Sequence, residues 1–324
     1  MRALVTGATG FVGGHLIDQL LERGDTVTAL VRSPARAASA AERGVRLVAG
    51  DLADHDAMRE AAAGQDVVYH VAALTGAVDE AEFMAANRDG TANLARATLA
   101  AGNGARFVLV SSMAAGGPSR RGVLKQADGH DQPVTMYGHS KLASELVLRG
   151  EGLPWTVLRP PTVYGPRDRD NLLAVFKAAR IGVAPVFGNG SMELSVIHVT
   201  DLAQAIIRAG TTPGLEERIF YVNHPEVVTS AGLVQAIGRE MGKDVTLLPI
   251  PEWVARTALG ATGLWARALR RKTILRADKA NEFFQEAWTG DPSPFVEATG
   301  WQPRWDFTAG IADTAAWYRS AGWL

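Results

Sequence analysis

The segment MYGHSKLASE, residues 136–145, sets Tyr137 and Lys141 four positions apart. On an α-helix that spacing stacks the two side chains on one face, phenol beside ammonium. A free tyrosine titrates near 10 and is a poor base at neutral pH, but a neighbouring cation stabilises the phenolate and lowers that value. Bringing it to about 7 corresponds to roughly 4 kcal/mol of differential stabilisation. A tyrosine tuned in this way can exchange a proton with a substrate oxygen. The same oxygen calls for a second polar contact, and the apolar run VLVSSMA (108–114) ends in two hydroxyls, Ser111 and Ser112. His139 lies between Tyr137 and Lys141 in sequence but about 160–200° around the helix from their face, so no catalytic role is expected for it. His70 and His198 sit in apolar runs and read as satisfied interior or supporting residues. No carboxylate cluster has ligand spacing, so no metal site is expected.

A second constellation opens the chain. The run ALVT leads directly into Gly7, Thr9, Gly10, Phe11, Val12 and Gly13 of TGATGFVG. Glycines between a strand and a helix let the backbone turn tightly and approach a pyrophosphate, whose charge then rests on the helix N-terminus.

These residues need a scaffold, and the sequence supplies one. Apolar runs at 3–6, 26–31, 45–50, 66–73, 106–112 and 155–160 alternate with helical spacing such as Val12, Leu16, Ile17, Leu20 and Leu21. That alternation predicts an α/β fold, a doubly wound parallel sheet buried on both faces. After Pro160 the rhythm breaks, with Pro and Gly clustered at 160–171 and 183–191. Residues 195–210 return to a strand and a helix, with Thr200 or Asp201 expected as its cap. The expected division is residues 1–161 as the sheet domain, with 195–211 returning to it, and 162–194 plus 212–324 as a smaller, mostly helical domain.

Composition narrows the function classes. The chain has 324 residues, a net charge of −1, 47% hydrophobic and 21% charged residues, and no cysteine. This gives no electrostatic case for nucleic acid or an anionic membrane. It removes disulfides and thiol chemistry and suits the cytoplasm. The N-terminus has no secretory pattern, and no apolar run approaches the roughly 20 residues of a membrane span. Arginine greatly outnumbers lysine, as in proteins from GC-rich bacterial genomes.

The G-x-x-G-x-x-G loop, the Tyr137–Lys141 pair, VYHVAA (68–73), N-x-x-G-T at Asn87–Thr91 and LRPPTVYGPRD (158–168) together resemble the extended short-chain dehydrogenase/reductase superfamily, the epimerase/dehydratase-like proteins. The likeness is dense over the first 205 residues. It implies a Rossmann-type domain that binds NAD(P), and hydride transfer coupled to proton exchange at Tyr137. It selects Ser112 rather than Ser111 as the catalytic hydroxyl, giving a Ser112–Tyr137–Lys141 site. Asp51 and Leu52 match the pair beside the adenine, and Ala72 and Ala73 the small residues along which the cofactor lies. Pro160, Thr162 and Val163 match the turn flanking the nicotinamide. Val110 joins the cofactor-binding set, and Asn87 is expected to order backbone near the lysine. The second strand ends in Val31 and Arg32, followed by Arg36, with no acid to hold a ribose 2′-hydroxyl. A guanidinium suits a 2′-phosphate, so NADP(H) is favoured over NAD(H).

The family contains several chemistries. Met113 and Ala114 stand where 4,6-dehydratases carry an acidic pair. Thr162 and Leu194 stand where sugar-nucleotide epimerases show Asn and Arg, although Arg167, Arg169 or Arg276 could substitute. Residues 249–275 supply Trp253, Val254, Ala258, Leu259, Leu264, Trp265 and Leu269, which could line a lid over an apolar substrate or simply cap their own domain. A membrane contact, with Arg267, Arg270, Arg271 and Lys272 at head groups, is the third reading. Gly260 and Gly263 are expected to interrupt any long helix there. This region resembles 3β-hydroxysteroid dehydrogenase-like and dihydroflavonol reductase-like members. The leading expectation is an NAD(P)-dependent dehydrogenase/reductase interconverting a secondary alcohol and a ketone on a largely apolar small molecule. A nucleotide-sugar epimerase with tightly bound NAD and a non-catalytic NAD(P)-binding sensor or scaffold are the alternatives. By analogy a homodimer would form through helices near 82–102 and 136–149.

Overall fold

The computed structural model describes residues 1–268 and 277–324. All six apolar runs of the first half form strands: β1 (Arg2–Thr6), β2 (Thr26–Val31), β3 (Arg46–Ala49), β4 (Val67–His70), β5 (Arg106–Val110) and β6 (Trp155–Arg159). They pair in parallel in the order β6-β5-β4-β1-β2-β3, and Arg218–Tyr221 adds a seventh strand beside β6. The order reverses between β1 and β4. In an open parallel sheet such a switch point leaves a crevice at the carboxyl ends of the strands.

Helices bury both faces. On one, helix α1 (Phe11–Glu22) and the helix Val199–Thr211 pack through Leu16, Ile17, Leu20, Leu202 and Ile206 against Val5, Tyr69 and Val108. On the other, Met58, Leu94 and Leu148 meet Leu4, Leu109 and Val157. Each such side chain removed from water is worth about 1.5–3 kcal/mol.

The second half differs from expectation in three places. The strand Val196–His198 pairs with Thr162–Tyr164 rather than with the main sheet, and it is Arg218–Tyr221 that returns to the sheet. The helix after it is capped by His198, whose side chain accepts from the Thr200 amide. Asp201 instead turns its carboxylate to the amides of Arg304 and Trp305, at 3.0 and 3.1 Å. The helix Glu252–Ala268 runs unbroken through Gly260 and Gly263. Two glycines cost about 1 kcal/mol each, and burial of Ala255 and Leu259 on its inner side offsets that. Residues 269–276, with Leu269, Arg270, Arg271, Lys272 and Arg276, lie outside the described residues, as do the side chains of Leu264 and Arg267.

A smaller core of Phe176, Val186, Ile237, Ile311 and Tyr318 holds the second half together. Among the described residues, no helix is long and apolar enough to cross a membrane, and no cluster could hold a metal ion.

Candidate active site

Gly7 ends β1 at φ 76°, in the region where an L side chain is strained. A Cβ there would lie 2.8 Å from the Ala72 amide nitrogen, and one on Gly13 would lie 2.1 Å from the Gly7 carbonyl oxygen. The strand end, α1 and the end of β4 therefore meet backbone to backbone. Gly10 caps α1 without any side-chain bond, which leaves the first amides of the helix open to an anion. A pyrophosphate fits this cradle. Thr9 and Gly10 are exposed and Phe11 and Val12 half-buried beside it.

The other expected cofactor residues follow the ends of successive strands. Arg32 and Arg36 are exposed after β2, with no ion-pair partner among the described residues. Asp51, after β3, is exposed and accepts from the Ala53 amide at 2.8 Å. Leu52 backs onto Gly90, where a Cβ would meet it at 2.9 Å. Ala72 donates its amide to Thr6 Oγ1 at 3.2 Å, and Ala73 beside it is exposed. The Pro160 carbonyl holds the Met113 amide at 2.9 Å, and Thr162 and Val163 continue into a short strand.

β5 ends in two serines with opposite environments. Ser111 is buried and donates to the Glu145 carboxylate. Ser112 is half-buried, caps the short helix Met113–Gly116 by accepting from Ala114 N at 3.1 Å, and lies near enough to the Tyr137 phenol to pull its pKa down. Only the second is available to a ligand oxygen. Lys141 is fully buried, and its Nζ donates to the Val110 carbonyl at 2.7 Å. Burial brings its pKa down to about 8, against the opposing pull of Glu145.

The chain's own groups do not by themselves produce the expected lowering at Tyr137. Tyr137 is pushed up to about 12 rather than lowered, chiefly by burial, with Ser112 opposing and Glu282 adding to the rise. The ammonium of Lys141 is engaged by Val110 rather than by the phenol. The expected lowering also counted the positive charge of an oxidised nicotinamide, which the chain's own groups do not supply.

Behind these residues lies a relay that fixes their positions. Asn87 sits in a π-helical turn, Met84–Asp89, a rare geometry that recurs at functional sites. Its amide oxygen accepts from Leu74 N at 2.7 Å, while Nδ2 donates to Leu74 O at 3.0 Å and to Ser140 Oγ at 2.9 Å. Ser140 donates in turn to the Tyr137 carbonyl at 2.8 Å. Thr91 Oγ1 donates to Asn87 O at 2.6 Å, so it must accept from His70 Nε2 at 3.1 Å. His70 Nδ1 then accepts from Thr6 Oγ1 at 2.7 Å. Burial lowers His70 to about 3, so it is neutral, and one tautomer satisfies the whole chain from Ala72 to Asn87. His70 is a supporting residue, as expected, and His139 is exposed.

Two groups escaped the sequence reading. Arg159 is fully buried and bonds Glu145 at 2.6 and 3.0 Å and Asp131 at 2.7 and 2.8 Å, with the Tyr221 ring 5.8 Å away. Glu145 stands four residues after Lys141, a spacing that could have flagged it; Asp131 and Arg159 carry no such signal. At the front, Glu282 accepts from Thr135 Oγ1 at 3.0 Å, Asp278 from Met136 N at 3.1 Å, and Asn281 donates to Val134 O at 3.1 Å. These bonds hold residues 277–284 over the first turn of the Tyr137 helix from more than 140 positions away in sequence.

Two of the three arginines considered for a sugar diphosphate are engaged elsewhere. Arg167, at φ 73°, pairs with Asp18 at 2.5 Å, and Arg169 stacks on Trp323 at 4.7 Å. Arg276 lies outside the described residues.

Comparison with known proteins agrees with this architecture. The model of the NAD-dependent epimerase/dehydratase family matches residues 3–222. A ceramide reductase of Caulobacter vibrioides is 32% identical over 320 residues, covering 99% of this chain and 95% of that protein. A 4-hydroxy-2-methyl-3-oxo-4-farnesyl-3,4-dihydroquinoline-1-oxide ketoreductase of Stigmatella aurantiaca is 32% identical over 282 residues, covering 83% and 82%. A UDP-glucose 4-epimerase of Thermus thermophilus, solved in complex with NAD, superposes with a TM-score of 0.79 at 25% identity, covering 99% of this chain and 100% of that one. The chain belongs to the NAD-dependent epimerase/dehydratase family and, with it, to the extended short-chain dehydrogenase/reductases, enzymes that work with a nicotinamide cofactor.

Proposed function

We propose that the protein is an NADP(H)-dependent reductase that interconverts a ketone and a secondary alcohol on a lipid-like molecule, with Ser112, Tyr137 and Lys141 as its catalytic set. The observation that carries this reading is the convergence of Ser112 and Tyr137 beside the glycine cradle, with Lys141 buried beneath. Bound with its pyrophosphate against Gly7, Gly10 and Gly13, the nicotinamide cofactor supplies or accepts the hydride. The Ser112 hydroxyl holds the substrate oxygen, and Tyr137 Oη gives it a proton in reduction or takes one in oxidation. Lys141, fixed by the Val110 carbonyl, keeps a positive charge under the site. Asn87 and Ser140 hold the Tyr137 backbone in register. Residues 1–161, with the helix Val199–Thr211, serve the cofactor, and the remaining segments serve the substrate.

Arg32 and Arg36 support a 2′-phosphate, because each is exposed after the second strand with no ion-pair partner among the described residues. The lipid-like substrate rests on likeness to the ceramide reductase and to the reductase of a farnesylated quinoline. The epimerase reading draws on the superposed UDP-glucose enzyme. It fits less well, since Arg167 and Arg169 are engaged elsewhere and Leu194 is apolar. A non-catalytic sensor would have no use for the Ser112–Tyr137 contact. The test is NADPH oxidation against a panel of long-chain ketones and UDP-sugars. Consumption with a ketone supports the proposal; conversion of a UDP-sugar without net NADPH oxidation refutes it.

A further inference from the structure

A group of large apolar side chains faces water beside the site. Ile181 is 75% exposed, Trp253 73%, Trp265 66% and Leu248 47%. Their elements are contiguous. The strand Val183–Phe187 pairs in parallel with Thr246–Ile250, placing Val183, Pro185 and Leu248 on one outward face of the ribbon. Ile181 precedes that ribbon, and the helix Glu252–Ala268 with its two tryptophans follows it. Ala255 and Leu259 of the helix are buried within, while Trp253, Ala258, Ala261 and Trp265 are exposed without, among Arg256, Thr257 and Thr262. Two tryptophans on the outer side of a surface helix, where polar side chains normally dominate, ask for a partner.

The charge around the patch points to which partner. Lys177, Arg180 and Lys243 are exposed and have no ion-pair partner among the described residues. Of the acids on these elements, Glu252 pairs with Arg256 at 2.7 Å, and Asp244 is exposed next to Lys243. Exposed Ile181 flanked by unpaired cations, with exposed tryptophans beyond the other end of the ribbon, matches an interfacial zone, aromatic rings at the head-group level and cations against anionic lipid. The patch also adjoins the segment that lies over the Tyr137 helix. Arg256 bonds Asn281 at 3.0 Å, and Phe187 stacks on Phe283 at 4.1 Å, both partners lying in the segment held over the Tyr137 helix.

We infer that this face docks the enzyme on an anionic lipid bilayer, so that a lipid-like substrate enters the site from the membrane without first crossing water. The inference rests on the lipid-like substrate proposed above. The docking is peripheral, because among the described residues no helix can span.

The test is co-sedimentation of the full chain with vesicles of pure phosphatidylcholine and of phosphatidylcholine containing about one-third phosphatidylglycerol. Binding is expected on the anionic vesicles, weakened by salt, with a blue shift of tryptophan emission. The double variant I181Q/W253Q should lower the bound fraction about tenfold. K177A/R180A should lower it on anionic vesicles only. Because all four side chains are exposed, melting temperature and NADPH-dependent reduction of a water-soluble ketone should be unchanged in both variants. Protein that stays in the supernatant with both vesicles overturns the inference. So does a double variant that binds like the parent, or one that loses only a concentration-dependent dimer, which would give the face to a second copy. Vesicle binding with no reduction of any ketone would refute the reductase proposal and leave the docking face standing.

Discussion

The two walls of the site are built from different materials. At the back, Thr6, His70, Thr91, Asn87 and Ser140 form a hydrogen-bonded chain, and Arg159 is clasped by Glu145 and Asp131 with no exposed surface of its own. At the front, residues 277–284 reach the Tyr137 helix through a few bonds, and beyond them tryptophans face water. Buried polar groups fix geometry only when every member has its partner. The back wall meets that condition and, in the proposed reductase, would fix where hydride acceptor and proton donor meet. The front is less constrained, and there a family sharing one chemistry can vary its substrates.

The sharpest break in this comparison comes from the reacting hydroxyl. Tyr137→Phe should reduce kcat by about 10²–10⁴-fold while leaving cofactor affinity unchanged, measured by steady-state kinetics and cofactor titration. A loss of cofactor binding instead would place Tyr137 in the binding wall. Next in size is Glu145→Gln. It leaves part of a buried guanidinium uncompensated, a change worth about 3 kcal/mol, visible as a lower denaturation midpoint. The exposed Glu60, which pairs with Arg46, provides the contrast: Glu60→Gln should have almost no effect.

Smaller effects sharpen the roles of individual groups. Arg32→Ala should weaken NADPH about tenfold, or about 1.4 kcal/mol, and leave NADH unaffected; equal losses for both would remove its phosphate role. In the pH dependence, Lys141 is charged below about 8 and neutral above. Ketone reduction, which needs the protonated Tyr137 and a cation beneath it, should therefore be level below about pH 8 and decline above. The same depressed value means that the native state binds fewer protons at this lysine than the unfolded chain. Its burial therefore costs stability below pH 8, and that cost is relieved as pH rises from there toward 10.5. The smallest change is Asp278→Asn at the front, expected to raise KM a few-fold with kcat nearly unchanged, since it touches the cap and not the reacting atoms.

Legibility in sequence follows the same division. Strand runs such as VVYH and RFVLV are read correctly because a sheet buried on both faces writes itself as continuous apolar residues. The Gly7, Gly10 and Gly13 cradle and the Tyr137–Lys141 spacing are legible because backbone approach and helical stacking each demand a fixed local interval. Pairing is not local. Nothing in sequence links Glu282 to Thr135 or Asp131 to Arg159, and the pKa of Tyr137 depends on burial that only the fold creates. The glycines at 260 and 263 misled because the anchoring of Ala255 and Leu259 outweighs their intrinsic preference. The segment 195–211 does pack on the main sheet through Leu202 and Ile206, but which strand pairs beside β6 is decided by the crossover, and that is Arg218–Tyr221.

A reductase must release its cofactor at each turnover, so the decisive measurement is the nucleotide content of freshly purified protein and its exchange with added NADPH and NADH. Rapid exchange and tighter binding of NADPH are expected. Stoichiometric NAD that resists exchange would contradict the proposed reductase and make the protein an enzyme that recycles its cofactor in place.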